Sequence, residues 1–236
     1  MNTHTKIIAL PFAGGGKHSF YRFAEKIPHF YTVEYPGRGS RFNHPSIDNI
    51  ELLLEDLLHI ILPHINDSNK YFLYGHSMGA LLAYLLSHKI EEMGLQLPSK
   101  LIVSGKNSPC CPRKRKKISE FPSDQFWDEL KSYGGISEEI IANEDIRTYY
   151  EPIIRSDFKI VENFEYRPIK PLSIPIDIFY GDDEEIKDFE IIRWREKTVK
   201  TVNIKKMKGN HFFIYRHEQY LVQYFKNLQK PFKTHI

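Results

Sequence analysis

The chain has 236 residues, 41% of them hydrophobic and 14% aromatic, which is enough for one sizeable core and is a common length for a single α/β domain. Lys and Arg number 33 against 30 Asp and Glu, a net charge of +3 that is too balanced for nucleic acid as the main partner. The two cysteines, Cys110 and Cys111, are adjacent and cannot staple distant segments together, and two free thiols fit a reducing cytosol. The N-terminal run Ile7-Ile-Ala-Leu10 has no basic leader, and no stretch approaches the ~18 apolar residues that span a membrane, so a cytoplasmic protein without signal peptide or membrane anchor is expected.

Taken in order, Lys6 to Phe12 reads as a short buried strand running into Ala13-Gly14-Gly15-Gly16, a loop whose backbone can approach a ligand closely. Ser19 to Lys26 reads as the first helix and Tyr31 to Tyr35 as the next strand, ending in the basic turn Pro36-Gly-Arg38-Gly-Ser-Arg41. The arginines of this turn have the charge to meet phosphate, but two cations in a loop are more often solvated, which is the expectation here. Ile47 to Ile65 places Ile50, Leu53, Leu54, Leu57 and Ile61 at helical spacing. A strand then ends at Tyr74, a helix runs from Met78 to about Met93, and Leu101 to Ser104 is a further strand. This alternation predicts an α/β fold with a mostly parallel sheet covered on both faces.

Between 110 and 166 the pattern changes. Five consecutive cations, Arg113 to Lys117, precede helical patterns at Ser123–Tyr133, Ser137–Ala142 and Asp145–Glu165 without a convincing strand. Such an insertion is how an α/β sheet acquires a lid. Its aromatic and aliphatic residues (Phe126, Trp127, Leu130, Tyr149, Tyr150, Ile153, Ile154, Phe158 and Phe164) fit either an apolar tunnel or a small core of their own. The sheet resumes at Ile174–Tyr180, followed by Gly181-Asp-Asp183-Glu184-Glu185, a helix from Ile186 to Val199, a strand at Val202–Met207 and a last helix at about His217–Leu228.

The chemistry centres on Gly75-His-Ser77-Met-Gly79. Set between a strand and a helix, this is the pattern of a nucleophile elbow, with Ser77 lifted clear of the sheet at the positive end of a helix. A carboxylate cluster after one late strand and His211 after the next complete the order Ser, acid, His. In that arrangement His211 takes the proton of Ser77, and a carboxylate orients the imidazole. Glu184, three residues after the strand-terminal glycine, is the first candidate for that acid and Asp183 the second. The oxyanion donors are expected at Met78 and in the Ala13 loop, with Phe12 beside it as a candidate substrate contact. The other ten histidines read as surface or packing residues.

With these residues placed, the chain resembles the type II thioesterases that serve nonribosomal peptide and polyketide synthetases, over nearly its whole length. Pro11-Phe-Ala-Gly-Gly15, Tyr35-Pro-Gly-Arg-Gly39 and Gly75-His-Ser-Met-Gly79 look like three of that family's signatures. The stretch from Phe121-Pro-Ser-Asp-Gln-Phe126 through Gly134-Gly135 to Arg155-Ser-Asp-Phe158 looks like another. The departure is at the acid, where the family generally has Asp and this chain has Glu184. The resemblance implies an α/β-hydrolase fold, and as substrate an acyl or aminoacyl thioester on the phosphopantetheine arm of a carrier protein. It implies neither a metal nor a dissociable cofactor. Because carrier proteins are typically acidic, Arg113, Lys114, Arg115, Lys116 and Lys117 become a candidate docking patch. A monomer is expected. Rival readings are a medium-chain acyl-carrier thioesterase, a general carboxylesterase, and a catalytically dead fold used as a binding module.

Overall fold

In the computed structural model of the chain, residues 4–111, 116–134 and 142–230 are described. Six parallel strands form one sheet: β1 (Thr5–Leu10), β2 (Phe30–Thr32), β3 (Lys70–His76), β4 (Leu101–Ser104), β5 (Ile176–Gly181) and β6 (Val202–Met207). Their order across the sheet is β2-β1-β3-β4-β5-β6. The helices are α1 (Tyr21–Ala24), α2 (Ile50–Asn66), α3 (Met78–Glu92), α4 (Ser123–Tyr133), α5 (Glu144–Asn163), α6 (Asp188–Ile192), α7 (Phe213–Arg216) and α8 (Glu218–Gln229).

The strands alternate because successive side chains point to opposite faces, and here both faces are apolar. Ile8, Leu10, Tyr71 and Leu73 pack with Leu53, Leu57 and Ile61 of α2 and with α3 on one side. Ile7, Ala9, Phe72 and Tyr74 pack on the other with Phe20, Phe23, Leu221 and Phe225. Between β4 and β5 the regular elements of the described residues are helical, and aromatic residues there form a core of their own. Ile118, Phe126, Trp127, Leu130 and Ile154 cluster together, with Phe121, Tyr133, Tyr150 and Phe158 against them. Tyr149 is exposed. Of the two readings open for these side chains, self-packing is the one observed for Phe126, Trp127, Leu130, Tyr150, Ile154 and Phe158. The expected helix at Ser137–Ala142 lies outside the described residues except for Ala142, which is helical.

Several boundaries differ from expectation. The strand expected at Tyr31–Tyr35 is only Phe30–Thr32. It is an edge strand paired to β1 alone, and β1 ends before Pro11, which has no N–H to continue the ladder. Glu34 and Tyr35 are therefore released from the sheet. The first helix is a 3-10 turn at Lys17–Phe20 followed by the four-residue α1. The helix expected over Ile186–Val199 is α6 followed by a 3-10 segment, Arg193–Lys197.

One property of the topology places the site. The chain leaves β1 for β2 on one side and then returns to lay β3 on the other, so the strand order reverses at β1. The crevice beyond the carboxyl ends of strands at such a reversal is where open α/β sheets bind ligands.

Candidate active site

The elbow stands at that crevice. β3 ends at His76, α3 begins at Met78, and Ser77 between them has φ +56° and ψ −114°. That conformation is unfavourable for any residue with a Cβ and is held by its surroundings: Ser77 N–H donates to Ser104 O at 2.9 Å, and Ala80 N–H to Ser77 O at 3.1 Å. The glycines of the motif permit the close approach. A Cβ at Gly79 would strike the carbonyl oxygens of Leu10 and Pro11, and one at Gly75 would strike Gly79 O. Because Leu10 pairs with Gly75 across β1 and β3, the loop after β1 lies directly beside the serine. Met78 is buried as the first residue of α3, where the helix itself leaves the N–H unpaired.

The loop after β1 is tightly held. Gly15 N–H closes a turn onto Phe12 O at 2.9 Å, and Gly14 N–H donates to Asp157 Oδ2 at 2.7 Å. Lys17 N–H donates to Glu34 Oε1 at 2.9 Å, and Tyr35 Oη donates to Pro11 O at 2.8 Å. Arg38 sends one guanidinium N–H to Gly15 O at 2.8 Å and grips both oxygens of Asp157 at 2.6 and 2.7 Å. The expectation that the arginines of this turn are solvated is corrected here. Arg38 is 4% exposed and carries the loop, and Arg41 is bidentate to Asp56 at 2.8 and 2.6 Å. The turn closes back on the sheet, so its cations meet carboxylates of other elements before they meet water.

Across the crevice, the loops after β5 and β6 are laced together. Asp182 N–H donates to Met207 O at 2.7 Å, Asp183 N–H to Gly209 O at 3.0 Å, and Gly209 N–H to Asp182 Oδ1 at 2.9 Å. This brings Glu184 to His211, with Oε1 2.6 Å from Nδ1, while Oε2 accepts from Gly181 N–H at 2.6 Å. The Glu184 side chain is 2% exposed, whereas Asp183 is exposed. Of the two acid candidates, the structure brings Glu184 to the histidine and leaves Asp183 in solvent.

Aromatic rings pack beside His211. Phe12 stands edge-on to His76 (5.8 Å) and to Phe212 (5.0 Å), and the His76 and His211 rings are 4.9 Å apart. His76, read from the sequence as a surface or packing residue, is a packing residue here. It is fully buried, with Nδ1 2.8 Å from Ser104 Oγ. Burial first, and then the neighbouring His211, push its pKa well below the ordinary histidine range, so it is neutral at pH 7 and sets no second cation beside His211. Sequence reasoning did not single out Arg38 and Asp157 as site residues. The available signal for Asp157 was its place at helical spacing between Ile153, Ile154 and Ile160, a carboxylate inside the apolar stripe of α5.

Of the basic run, Arg113, Lys114 and Arg115 lie outside the described residues. Lys116 and Lys117 are exposed, and Lys117 Nζ donates to Asn163 Oδ1 at 2.9 Å. Among the described residues, no group of three or more His, Cys, Asp or Glu side chains is placed to hold a metal ion. None of the helices they form is long and apolar enough to cross a membrane.

A parallel sheet with a strained serine elbow, and an acid and histidine on later strand ends, defines an α/β-hydrolase fold. The chain matches the thioesterase domain family over residues 5–230 and belongs to that family, whose members hydrolyse thioesters. It is similar to the gramicidin S biosynthesis protein GrsT of Aneurinibacillus migulanus, 27% identical over 223 residues, or 93% of this chain and 86% of that one. It is also similar to the medium-chain S-acyl fatty acid synthase thioesterase of Rattus norvegicus, 27% identical over 216 residues, or 89% of this chain and 81% of the other. The solved structure of the type II thioesterase BorB from the borrelidin biosynthetic cluster superposes with a TM-score of 0.87 at 27% identity, covering 98% of this chain and 94% of that one.

Proposed function

We propose that this thioesterase acts on acyl or aminoacyl groups carried on the phosphopantetheine arm of carrier proteins, clearing misprimed or stalled synthetase modules, with Ser77, His211 and Glu184 as its catalytic residues. The observation that carries the reading is the Glu184–His211 hydrogen bond, set across the crevice from the Ser77 elbow in a chain of the thioesterase family.

The chemistry follows from these groups. Ser77 Oγ attacks the thioester carbonyl while His211 takes its proton. Glu184 holds the imidazole by Nδ1, which leaves Nε2 for proton transfer, and stabilises the cation that forms. The oxyanion is received by the N–H groups of Met78 and Ala13. Collapse of the tetrahedral intermediate expels the phosphopantetheine thiol, protonated by His211, and leaves an acyl-Ser77 ester. Water, deprotonated by His211, attacks that ester, and as the second intermediate collapses His211 returns the proton to Ser77 Oγ, freeing the acid. Ser77 supplies the nucleophile, so the reaction requires no cofactor.

The carrier protein is the proposed partner, and the basic run from Arg113 to Lys117 is its proposed docking site, with Lys116 and Lys117 exposed beside α5. Docking of that kind weakens with salt. A medium-chain acyl thioesterase is the second reading, supported by the 27% identity to the rat enzyme. The deciding experiment compares release of one acyl group from a carrier protein and from a small thioester, with Ser77→Ala as control. Faster Ser77-dependent release from the carrier supports the editing reading. Equal rates on both substrates overturn it in favour of a general thioesterase. Replacing the five basic residues with Ser tests docking, and unchanged turnover of carrier-bound substrate sinks that assignment.

A further inference from the structure

The loop that carries Ala13 is held by a device that joins it to the helical insertion. Asp157 belongs to α5, 143 residues along the chain from the Gly14 N–H it accepts. Its carboxylate is 3% exposed, and the Arg38 guanidinium gripping both its oxygens is 5% exposed. The same guanidinium holds Gly15 O. Ile154, one helical turn earlier on α5, packs onto Gly14, where a Cβ would come within 3.1 Å of its Cγ1. Gly14 sits at φ +78°, a conformation that favours glycine.

These contacts bear on one peptide unit, the one between Phe12 and Ala13. Its carbonyl accepts from Gly15 N–H inside the turn. In a trans peptide the N–H points opposite the carbonyl, so the Ala13 N–H faces out of the turn. The peptide before it is fixed by Tyr35 Oη on Pro11 O, and the peptide after it by Asp157 on Gly14 N–H. A buried ion pair costs desolvation that an apolar pair of similar volume avoids, so its contribution here is to geometry more than to stability.

We propose that Asp157 and Arg38 are positioning residues for the oxyanion hole, through which the α5 helix of the insertion aims the Ala13 N–H at the developing oxyanion. This rests on the oxyanion role given to Ala13 above. It makes the second half of the insertion part of the catalytic frame instead of a cover that moves freely over it.

The test is hydrolysis of a small acyl thioester by the full chain and by Asp157→Asn and Arg38→Lys, with folded sites counted by titration of Ser77 with a phosphonate. A trifluoromethyl ketone analogue, whose adduct with Ser77 bears an oxyanion in the same hole, is measured alongside. Displacement of a donor predicts a fall in kcat per titrated site of about 10- to 100-fold, with KM within about threefold. The inhibition constant of the ketone should rise by the same factor, which a loss of stability alone does not produce. A kcat per site within about twofold of wild type, or an unchanged ketone constant, overturns the proposal. If neither variant yields titratable protein, Asp157→Glu decides by the same two readouts. It keeps the charge that Arg38 grips but displaces the oxygen that accepts from Gly14 N–H, is expected to lower kcat by about 3- to 10-fold, and parity with wild type overturns the proposal. Wild-type protein that labels at Ser77 but hydrolyses no thioester would instead overturn the functional reading, and this inference with it.

Discussion

At the scale of single residues, the acid shows how side-chain length and backbone register compensate for each other. Glu is one methylene longer than the Asp found generally in the family the sequence resembles. Here that length lets Glu184 fold back so that one oxygen takes the Gly181 N–H and the other reaches His211. A carboxylate fixed at both oxygens orients an imidazole better than one free to rotate. Glu184→Gln is therefore expected to lower kcat/KM for a small thioester on the order of 10³- to 10⁴-fold, because the amide leaves the imidazolium without its counter-charge. Asp183→Asn, altering a solvated side chain, should stay within about twofold. Equal losses in the two variants would refute the assignment of the acid. Ser77 stores strain at its positive φ, worth roughly 1–3 kcal/mol at such sites. Ser77→Gly should consequently be more stable than Ser77→Ala by about 1 kcal/mol in urea unfolding, since both lose the hydroxyl and only Gly relaxes the backbone. Equal midpoints and slopes would show the strain to be absent.

Among the elements, the elbow depends on how closely α3 passes over the end of β1. Gly79 faces the carbonyl oxygens of Leu10 and Pro11, which belong to backbone and cannot swing aside. Gly79→Ala should destabilise the protein by more than about 4 kcal/mol, or leave it insoluble, because either the helix or the β1 strand end must move. A far-UV spectrum and urea midpoint like those of wild type would contradict this. The turn-rich segment after β2 has a related role. Its Pro36–Arg41 turn reads as a solvated basic loop and Glu34 and Tyr35 as the end of a strand, yet Glu34, Tyr35 and Arg38 all reach the chain that follows β1. The early end of β2 is what frees them.

For the whole molecule, buried histidines tie stability to pH. Burial, first among the causes, pushes His88 down to about 4 from an ordinary value of 6.5, and it pushes His76 well below that ordinary value as well. Unfolded, both imidazoles take up protons near pH 6.5, while the folded chain resists doing so. As the pH falls below 6.5 the unfolded state binds more protons, and stability drops by about 1.4 kcal/mol per pH unit for each histidine. The loss from His88 continues to about pH 4, where the folded form also protonates. Urea unfolding of wild type and His88→Gln between pH 7 and 4.5 should show a shallower slope in the variant by close to one proton. Identical slopes would remove His88 from the account.

The sequence by itself determined the alternation of strands and helices, the elbow at Ser77, and the order Ser77, acid, His211. Each of these is written in local pattern: apolar runs, glycines two residues either side of a serine, and polar residues just past a strand end. It left the acid divided between Glu184 and Asp183. The two are neighbours, and only the lacing of the loops after β5 and β6 decides which of them faces His211. It also gave no sign that Arg38 and Asp157 meet. Their contact joins residues 119 positions apart and depends on where α5 crosses the loop after β1. The sequence supplies periodicity and residue type over a few turns of chain. Only the tertiary structure decides which of two equivalent charges is buried, and against what, because that depends on segments brought together by the whole core.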